Sequence, residues 1–147
     1  MSSEKSLRIL IVEDEILIAL ELESLLQDLG HDIAGIAVSS ADALALGQDL
    51  KPDLAFVDIH LADGPTGVDV ARHLASEHGV TVLFMTANAK RIPEDFAGAW
   101  GVIAKPYTER GVREALAYVM AGQLQEARTV TFVPFGRGAQ ERNSQIS

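Results

Sequence analysis

Cysteine is absent from this sequence of 147 residues. Its absence excludes disulfide bonds, thiolate zinc sites and cysteine nucleophiles. Long apolar runs are absent too, because no stretch approaches the length of a membrane span and Glu13 interrupts the first one too early for a signal peptide. We therefore expect a soluble, cytoplasmic protein without a membrane partner.

Basic residues are scarce, with 12 Lys and Arg against 21 Asp and Glu, which gives a formal charge of -9. Proteins that neutralise nucleic-acid phosphates normally carry the opposite balance, so direct nucleic-acid binding is not expected. What the chain does have is apolar content, 48% of its residues, which suits one domain with a real core.

Short apolar runs alternate with segments of helical periodicity. The near-continuous apolar runs are typical of buried parallel strands and predict five of them, at 7–12, 32–38, 54–58, 80–86 and 101–105. The intervening segments predict helices at 15–29, 40–50, 67–78, 94–98 and 108–121. Helix starts are predicted at Ser39 or Ser40, Pro93 and Thr108, and helix ends at Gly30 and Gly122. This alternation predicts a three-layer α/β/α sandwich around a parallel sheet.

Polar side chains occur where four of these strands end, namely Glu13, Asp14, Asp58, Thr86 and Lys105. The carboxyl ends of parallel strands lie at one edge of the sheet, where ligands bind. An isolated Asp at such a junction is more often a helix cap, but five polar residues at one edge favour a site. Three carboxylates close together repel one another unless a cation lies among them, and oxygen ligands favour Mg²⁺. With Lys105 and Thr86 opposite, a phosphoryl group could be held there and Asp58 would be its nucleophile.

Four motifs carry these residues: VEDE at 12–15, FVDIHLADG at 56–64, FMTA at 84–87 and AKPY at 104–107. In this order and spacing they resemble the receiver domain of two-component response regulators, over about residues 7 to 121. The resemblance implies a flavodoxin-like sheet of strand order 2-1-3-4-5.

The resemblance also implies a metal-dependent reaction. Asp58 would accept a phosphoryl group from a sensor histidine kinase or a histidine phosphotransfer protein. Asp14 would bind Mg²⁺ directly, Glu13 through water, and His60 through its backbone carbonyl.

Further positions follow from the resemblance. Lys105 would contact a phosphoryl oxygen, with a cis bond to Pro106, and Thr86 would move toward the phosphoryl group. Ala87 is small and leaves a path to Asp58. The positions expected to set the phosphoryl lifetime are His60 and Asn88. No substrate turnover beyond self-phosphorylation and self-dephosphorylation is expected.

The sequence departs from the family near its signalling surface. Val102 stands where the family usually has a switch aromatic, and the segment between Thr86 and Lys105 leaves room for only a short fourth helix. Trp100 and Tyr107 are interpreted as packing residues.

The first helix has apolar residues on two sides. A stripe is predicted to face the sheet, made of Ile18, Leu22, Leu25 and Leu29. A second set is predicted to be exposed and to dock on a kinase or phosphotransfer protein, together with Pro106 and Tyr107; it consists of Ile16, Leu17 and Leu20. Scattered surface apolarity is the alternative.

The remaining expectations concern organisation and output. Residues 1–121 are expected to form the receiver and 122–147 a C-terminal tail without an output domain. The tail is either a disordered end or a segment whose TVTFV run, 129–133, packs on the domain or joins a partner's sheet edge. The protein would signal through a downstream protein as a phosphorelay shuttle, a sink or an allosteric regulator, and a homodimer stays open.

Three other classes of protein are alternatives. A nucleotide-binding module is disfavoured, because it would need a Gly-rich fingerprint after the first strand, where this chain has the acidic VEDE at 12–15. A degenerate receiver that binds partners without phosphorylation is the main alternative. A haloacid-dehalogenase-type phosphatase is disfavoured, because it needs a second Asp where this chain has His60. The four histidines show no metal-ligand spacing, and most are expected at the surface.

Overall fold

The computed structural model describes residues 6–61, 63–87, 96–121 and 132–134. Strands and helices alternate along the described chain as predicted, except that a 3-10 turn at Phe96–Gly98 lies between the fourth and fifth strands. The strands are β1 (Arg8–Val12), β2 (Asp32–Ala37), β3 (Leu54–Asp58), β4 (Thr81–Thr86), β5 (Gly101–Ala104) and β6 (Phe132–Pro134). The α-helices are α1 (Ile16–Asp28), α2 (Ser40–Leu50), α3 (Gly67–His78) and α4 (Glu109–Ala121). No helix in these ranges is long and apolar enough to cross a membrane.

The strands form one sheet in the order β2-β1-β3-β4-β5-β6. The first five are parallel, which confirms the predicted flavodoxin-like order 2-1-3-4-5. β6 is antiparallel to β5, with Ile103 opposite Phe132 and Gly101 opposite Pro134. The short described part of the C-terminal tail therefore extends the sheet of its own chain beyond β5.

Alternate residues of each inner strand enter two separate cores. Val57 of β3 and Phe84 of β4 belong to the core beneath α2 and α3. Phe56 of β3 and Met85 of β4 belong to the core beneath α1 and α4. Because side chains alternate across a strand, a sheet covered on both faces needs continuous apolar runs, as this sequence has.

Two predicted helix caps are present. Ser39, rather than Ser40, caps α2, because its Oγ accepts a hydrogen bond from the Asp42 amide at 3.3 Å. The Oγ1 of Thr108 accepts one from the Gly111 amide at 3.0 Å, before α4. Gly30 follows α1 with φ of 97°, a conformation that favours glycine at helix ends.

The predicted helix at 94–98 differs from expectation in its described part. Phe96–Gly98 is a single 3-10 turn in which Ala97 has φ of 51° and ψ of 26°. A positive φ cannot continue a right-handed α-helix, so these residues do not form one. The rest of that prediction, including Pro93, and the predicted helix end at Gly122 lie outside the described residues.

The buried stripe of α1 is rotated from the predicted one. Leu22 is buried as predicted, but its buried companions are Ala19 and Leu26. The three other residues predicted for the stripe are only half-buried, namely Ile18, Leu25 and Leu29. Leu25 and Leu29 still pack against the core beneath α1 and α4, so the buried face of the helix is shifted to include Ala19 and Leu26.

His31 is a buried histidine, whereas His60 and His73 are exposed, as expected of most of the histidines. His31 is only 7% exposed, and its Nδ1 accepts a hydrogen bond from the Leu7 amide at 3.0 Å. Burial lowers the pKa of His31, although the charge of Asp32 opposes this. A neutral imidazole can therefore serve as a buried acceptor at the start of β1.

Candidate functional site

A cleft of about 420 Å³ lies at the carboxyl ends of the parallel strands. Its lining comes from the ends of β1, β3, β4 and β5 and the loops that follow them. The lining residues are Asp14, Glu15, Asp58, His60, Thr86, Ala87 and Lys105. Glu13, which precedes Asp14, is fully buried beneath them. The fold thus brings together all five polar residues that the strand ends predicted.

Lys105 holds the acidic residues together. Its Nζ lies 2.9 Å from Oε1 of Glu13 and 3.0 Å from Oδ2 of Asp58, and both are hydrogen bonds as well as ion pairs. Oε1 of Glu15 lies further away, at 3.7 Å. Burial lowers the pKa of Lys105, but the hydrogen bonds and charges of Glu13 and Asp58 outweigh it and leave the pKa raised. Lys105 is therefore a fixed positive charge at the base of the cleft.

Burial destabilises the charged form of the Glu13 carboxylate. Desolvation raises the pKa of Glu13 to about 7, against the opposing effects of the Glu15 amide and Lys105. Its Oε2 accepts the Glu15 amide at 3.0 Å, while Oε1 accepts from Lys105. Glu13 is fully buried and, unlike Asp14 and Asp58, does not line the cleft, so it is the least available of the three acids to a ligand.

The acidic cluster has the donor chemistry of a hard cation site. Glu13, Asp14 and Asp58 each place one carboxylate oxygen within 4.8 Å of the others. Three carboxylates face one ammonium, and such oxygen donors suit Mg²⁺, which takes one or two carboxylates directly and keeps several waters. Asp14, which is exposed, and Asp58, which lines the cleft, fit this role best.

Asp58 is held by the loop that follows it. Its Oδ1 accepts the His60 amide at 3.2 Å, and the Gly67 amide donates to the Ile59 carbonyl at 2.9 Å. A Cβ at Gly67 would lie 2.1 Å from the Asp58 carbonyl oxygen and 2.6 Å from Ile59 Cα. No side chain fits such a gap, so Gly67 lets α3 start directly against the backbone of Asp58. Gly67 was not among the predicted site residues, although a glycine at the start of a predicted helix was a signal in the sequence.

Thr86 and Ala87 form the wall of the cleft on the β4 side. Thr86 ends β4 and is 4% exposed, while Ala87 is exposed beside it. The Lys105-Pro106 peptide bond is cis, as predicted. His60 is exposed at the cleft, and Asn88 lies outside the described residues.

The two flanking aromatics pack as predicted. Trp100 and Tyr118 form an edge-to-face pair with ring centroids 6.2 Å apart. The Tyr107 hydroxyl donates to the Ile18 carbonyl at 3.3 Å, which connects the loop after Lys105 to α1. Burial raises the pKa of Tyr107 to about 12, with help from the charges of Glu21 and Glu13. Val102 is buried, at 7% exposure, in the core beneath α3.

The predicted docking residues divide by exposure. Ile16, Leu17 and Leu20 are exposed by 51%, 75% and 46%, which confirms that the surplus apolar residues of α1 face solvent. Pro106 is also exposed, but Tyr107 is only half-buried and points its hydroxyl at α1.

Fold and site together define a flavodoxin-like α/β protein with an acidic, lysine-bridged cleft at its sheet edge. The chain belongs to the response regulator receiver domain family, whose model matches residues 9–117. The resemblance inferred from the four motifs is thereby confirmed.

Several characterised proteins are similar to this chain. It is 35% identical over 134 residues to the phyllosphere-induced regulator PhyR of Methylorubrum extorquens, covering 87% of this chain and 48% of that protein. It is 33% identical over 104 residues to the transcriptional regulatory protein PdtaR of Mycobacterium tuberculosis, covering 69% and 50%. The chain spans about half the length of these relatives. The solution NMR structure of the PhyR receiver domain of Erythrobacter litoralis matches with a TM-score of 0.73 and 34% identity, over 88% of this chain and 99% of that one.

Proposed function

We propose that this receiver accepts a phosphoryl group on Asp58 in a Mg²⁺-dependent reaction and signals by a change in its protein-protein contacts. The donor would be a histidine kinase or a histidine phosphotransfer protein, the partner that a receiver domain implies. The observation that carries the proposal is the position of Asp58, at the end of β3 beside Lys105 and within reach of two other carboxylates.

The chemistry is a transfer between two nucleophiles. One carboxylate oxygen of Asp58 attacks the phosphorus, the phosphorus-nitrogen bond of a phosphohistidine breaks, and the imidazole nitrogen that leaves takes up a proton. Bound Mg²⁺ would supply charge neutralisation for the phosphoryl oxygens, held by Asp14, Asp58 and the His60 carbonyl, with Glu13 acting through water.

Lys105 and Thr86 stabilise the product. The ammonium of Lys105 would contact a phosphoryl oxygen in addition to or in place of Asp58, and the Thr86 hydroxyl would donate a hydrogen bond to another phosphoryl oxygen. Because both contacts exist only in the phosphorylated protein, they favour one of two conformations and shift the population. His60 and Asn88 would set how long the phosphoryl group persists.

The test is intact-mass measurement after incubation with Mg²⁺ and a small phosphodonor. Wild type should gain the mass of one phosphoryl group, Asp58→Asn should gain none, and chelation of Mg²⁺ should abolish the gain. Asp69→Asn, an exposed carboxylate on α3, is the matched control and should behave like wild type. A receiver that gains no mass from either the small donor or its native kinase would instead be a phosphorylation-independent binding module.

The exposed apolar patch of α1, formed by Ile16, Leu17 and Leu20, is the proposed docking surface for the phosphodonor protein, with Pro106 and Tyr107 at its border. It starts one residue after Glu15, whose side chain lines the cleft. A partner helix seated there would therefore lie beside Asp58.

A double substitution tests this docking surface. Leu17→Glu with Leu20→Glu should slow transfer from the kinase while leaving the small-donor reaction unchanged. Met120→Glu, at an apolar position 44% exposed on α4, is the control. Equal kinase transfer in both variants would remove the docking proposal and leave the phosphoacceptor intact.

The organisation of the receiver supports several outputs. We propose residues 1–121 as the receiver and 122–147 as a tail whose strand β6 belongs to the receiver's sheet. Shuttle, sink and allosteric regulator differ in phosphoryl lifetime and in onward transfer, so the decay rate of the phosphorylated protein with and without a phosphotransfer protein separates them.

A further inference from the structure

The loop between β3 and α3 carries two backbone groups that the proposed reaction uses. They are the carbonyl of His60, a proposed Mg²⁺ ligand, and the amide of His60, which donates to Asp58. The loop begins after Asp58, includes the backbone carbonyl of His60, and ends where Gly67 opens α3. Leu61 and Gly64 exchange two backbone hydrogen bonds, at 2.8 and 2.9 Å, and so close its middle into a tight turn. The placement of His60 thus depends on how this turn is anchored.

Asp63 lies inside that turn and connects it to a different element. Its Oδ2 accepts the Ser40 hydroxyl at 2.6 Å and the Ser40 amide at 3.2 Å. Its Oδ1 accepts the Thr66 hydroxyl at 2.7 Å. One carboxylate therefore joins the turn, the end of the loop and the first residue of α2.

The chemistry of the contact suits a carboxylate. Ser40 opens α2, where unpaired amides and the helix dipole favour negative charge. The Ser40 and Thr66 hydroxyls, together with the Ser40 amide, lower the pKa of Asp63 despite a small opposing effect of burial. The carboxylate thus stays ionised, and hydrogen bonds to an ionised acceptor are stronger than neutral ones.

We propose that Asp63 is a positioning residue of the phosphoacceptor site. By fixing the loop 59–66 to the first turn of α2, it sets the direction of the His60 carbonyl and of the His60 amide that holds Asp58. This inference rests on the proposed function for its consequence, Mg²⁺ binding and phosphoryl acceptance, but the anchoring itself does not depend on phosphorylation.

Amide exchange and Mg²⁺ titration test the proposal on the full chain. In Asp63→Ala, amide exchange should speed up at His60, Leu61 and Gly67, none of which donates to Asp63 directly. The Kd for Mg²⁺ should rise about 10-fold, the usual effect of losing a group that orients a metal ligand. Asp69→Ala removes a nearby exposed carboxylate and should change neither quantity.

Two further variants separate positioning from general destabilisation. Ser40→Ala lies outside the loop and removes only its hydroxyl bond to Asp63, so it should shift both quantities in the same direction by less. Combined with Asp63→Ala it should add nothing, because both act through one contact. Asp63→Asn keeps an acceptor oxygen and should partly restore Mg²⁺ binding.

The outcomes are distinct. Unchanged loop exchange and Mg²⁺ affinity in Asp63→Ala, or equal changes in Asp69→Ala, would overturn the positioning role. A lower melting temperature with unchanged Kd would also overturn it, since that is what a merely structural contact predicts. If wild type gains no phosphoryl mass while Asp63→Ala still alters exchange and Kd, the proposed function fails and the positioning role stands.

Discussion

Removal of Lys105 is the sharpest electrostatic perturbation that the cleft offers. Lys105→Met keeps most of the side-chain length but leaves Glu13 and Asp58 without their ammonium partner. At an effective dielectric of about 20, each ion pair near 3 Å has a Coulomb energy of about 5.5 kcal/mol before desolvation. Breaking one partner of a buried pair costs about 3–5 kcal/mol in practice.

We expect a cost near the lower end, about 3 kcal/mol of unfolding free energy. The fully buried Glu13 can escape part of the penalty by binding a proton, because its pKa is already raised to about 7. Its folded pKa lies above its unfolded value of 4.5. Between pH 4.5 and about 7 the folded state therefore binds more protons than the unfolded state, and stability falls as the pH rises through this range.

Lys105 weakens this effect because it lowers the pKa of Glu13. Without Lys105 the folded pKa of Glu13 should rise further, which extends to higher pH the range in which ionisation of Glu13 destabilises the fold. The cost of Lys105→Met should therefore be larger at about pH 8 than at about pH 5. Mg²⁺ should stabilise the variant more than wild type, because three carboxylates then lack an ammonium competitor.

Urea unfolding followed by circular dichroism measures these quantities at both pH values, with and without Mg²⁺. Lys51→Met, at an exposed lysine that follows α2, is the matched control. A loss under about 1 kcal/mol at high pH, or an equal loss at both pH values, would refute the electrostatic account.

Three further predictions test the scaffold. Gly67→Ala should cost about 1–3 kcal/mol or more and abolish phosphoryl acceptance, because the new Cβ meets backbone 2.1 Å away. Gly35→Ala should be milder, because its Cβ would meet only side-chain atoms, the nearest being Leu50 Cδ1 at 3.3 Å, and equal urea midpoints would contradict this. His31→Gln should reduce the stability lost on acidification below about pH 6.5, because the lowered pKa of buried His31 means that the unfolded state binds the proton first; the same gain in His73→Gln, at an exposed histidine, would argue against the buried acceptor. Deletion of residues 122–147 removes β6 and leaves the edge of β5 unpaired, so the melting temperature should fall and sedimentation should show more self-association, whereas a monomer of unchanged melting temperature would show that β6 protects nothing.

The strand ends explain why so much of the site could be predicted. Parallel strands have their carboxyl ends at one edge, so Glu13, Asp14, Asp58, Thr86 and Lys105 were placed together by their order along the chain alone. Continuous apolar runs likewise predict a sheet covered on both faces. The neighbours Phe56 and Val57 confirm it, because each lies in a different one of the two cores.

The features that could not be predicted depend on contacts between residues that are far apart in the sequence, whereas periodicity and residue type report only on neighbouring residues. Periodicity assigned the sheet-facing stripe of α1 to Ile18, Leu22, Leu25 and Leu29, but the packing of the helix in the folded domain buries Ala19 and Leu26 beside Leu22. The burial of His31 could not be predicted either, because it depends on the Leu7 amide, 24 residues earlier, which donates to its ring. The 3-10 turn at Phe96–Gly98 likewise contains a non-glycine residue with positive φ, which no local signal announces.

By itself the sequence determined the family, the layered architecture and the chemistry available at the sheet edge, because these follow from residue type, order and periodicity. Only the tertiary structure decided how that chemistry is arranged. It placed Lys105 between Glu13 and Asp58, seated Gly67 against the phosphoacceptor backbone, and set Asp63 on the first turn of α2. Each of these contacts joins residues from separate elements, and their distances depend on the packing of the whole domain.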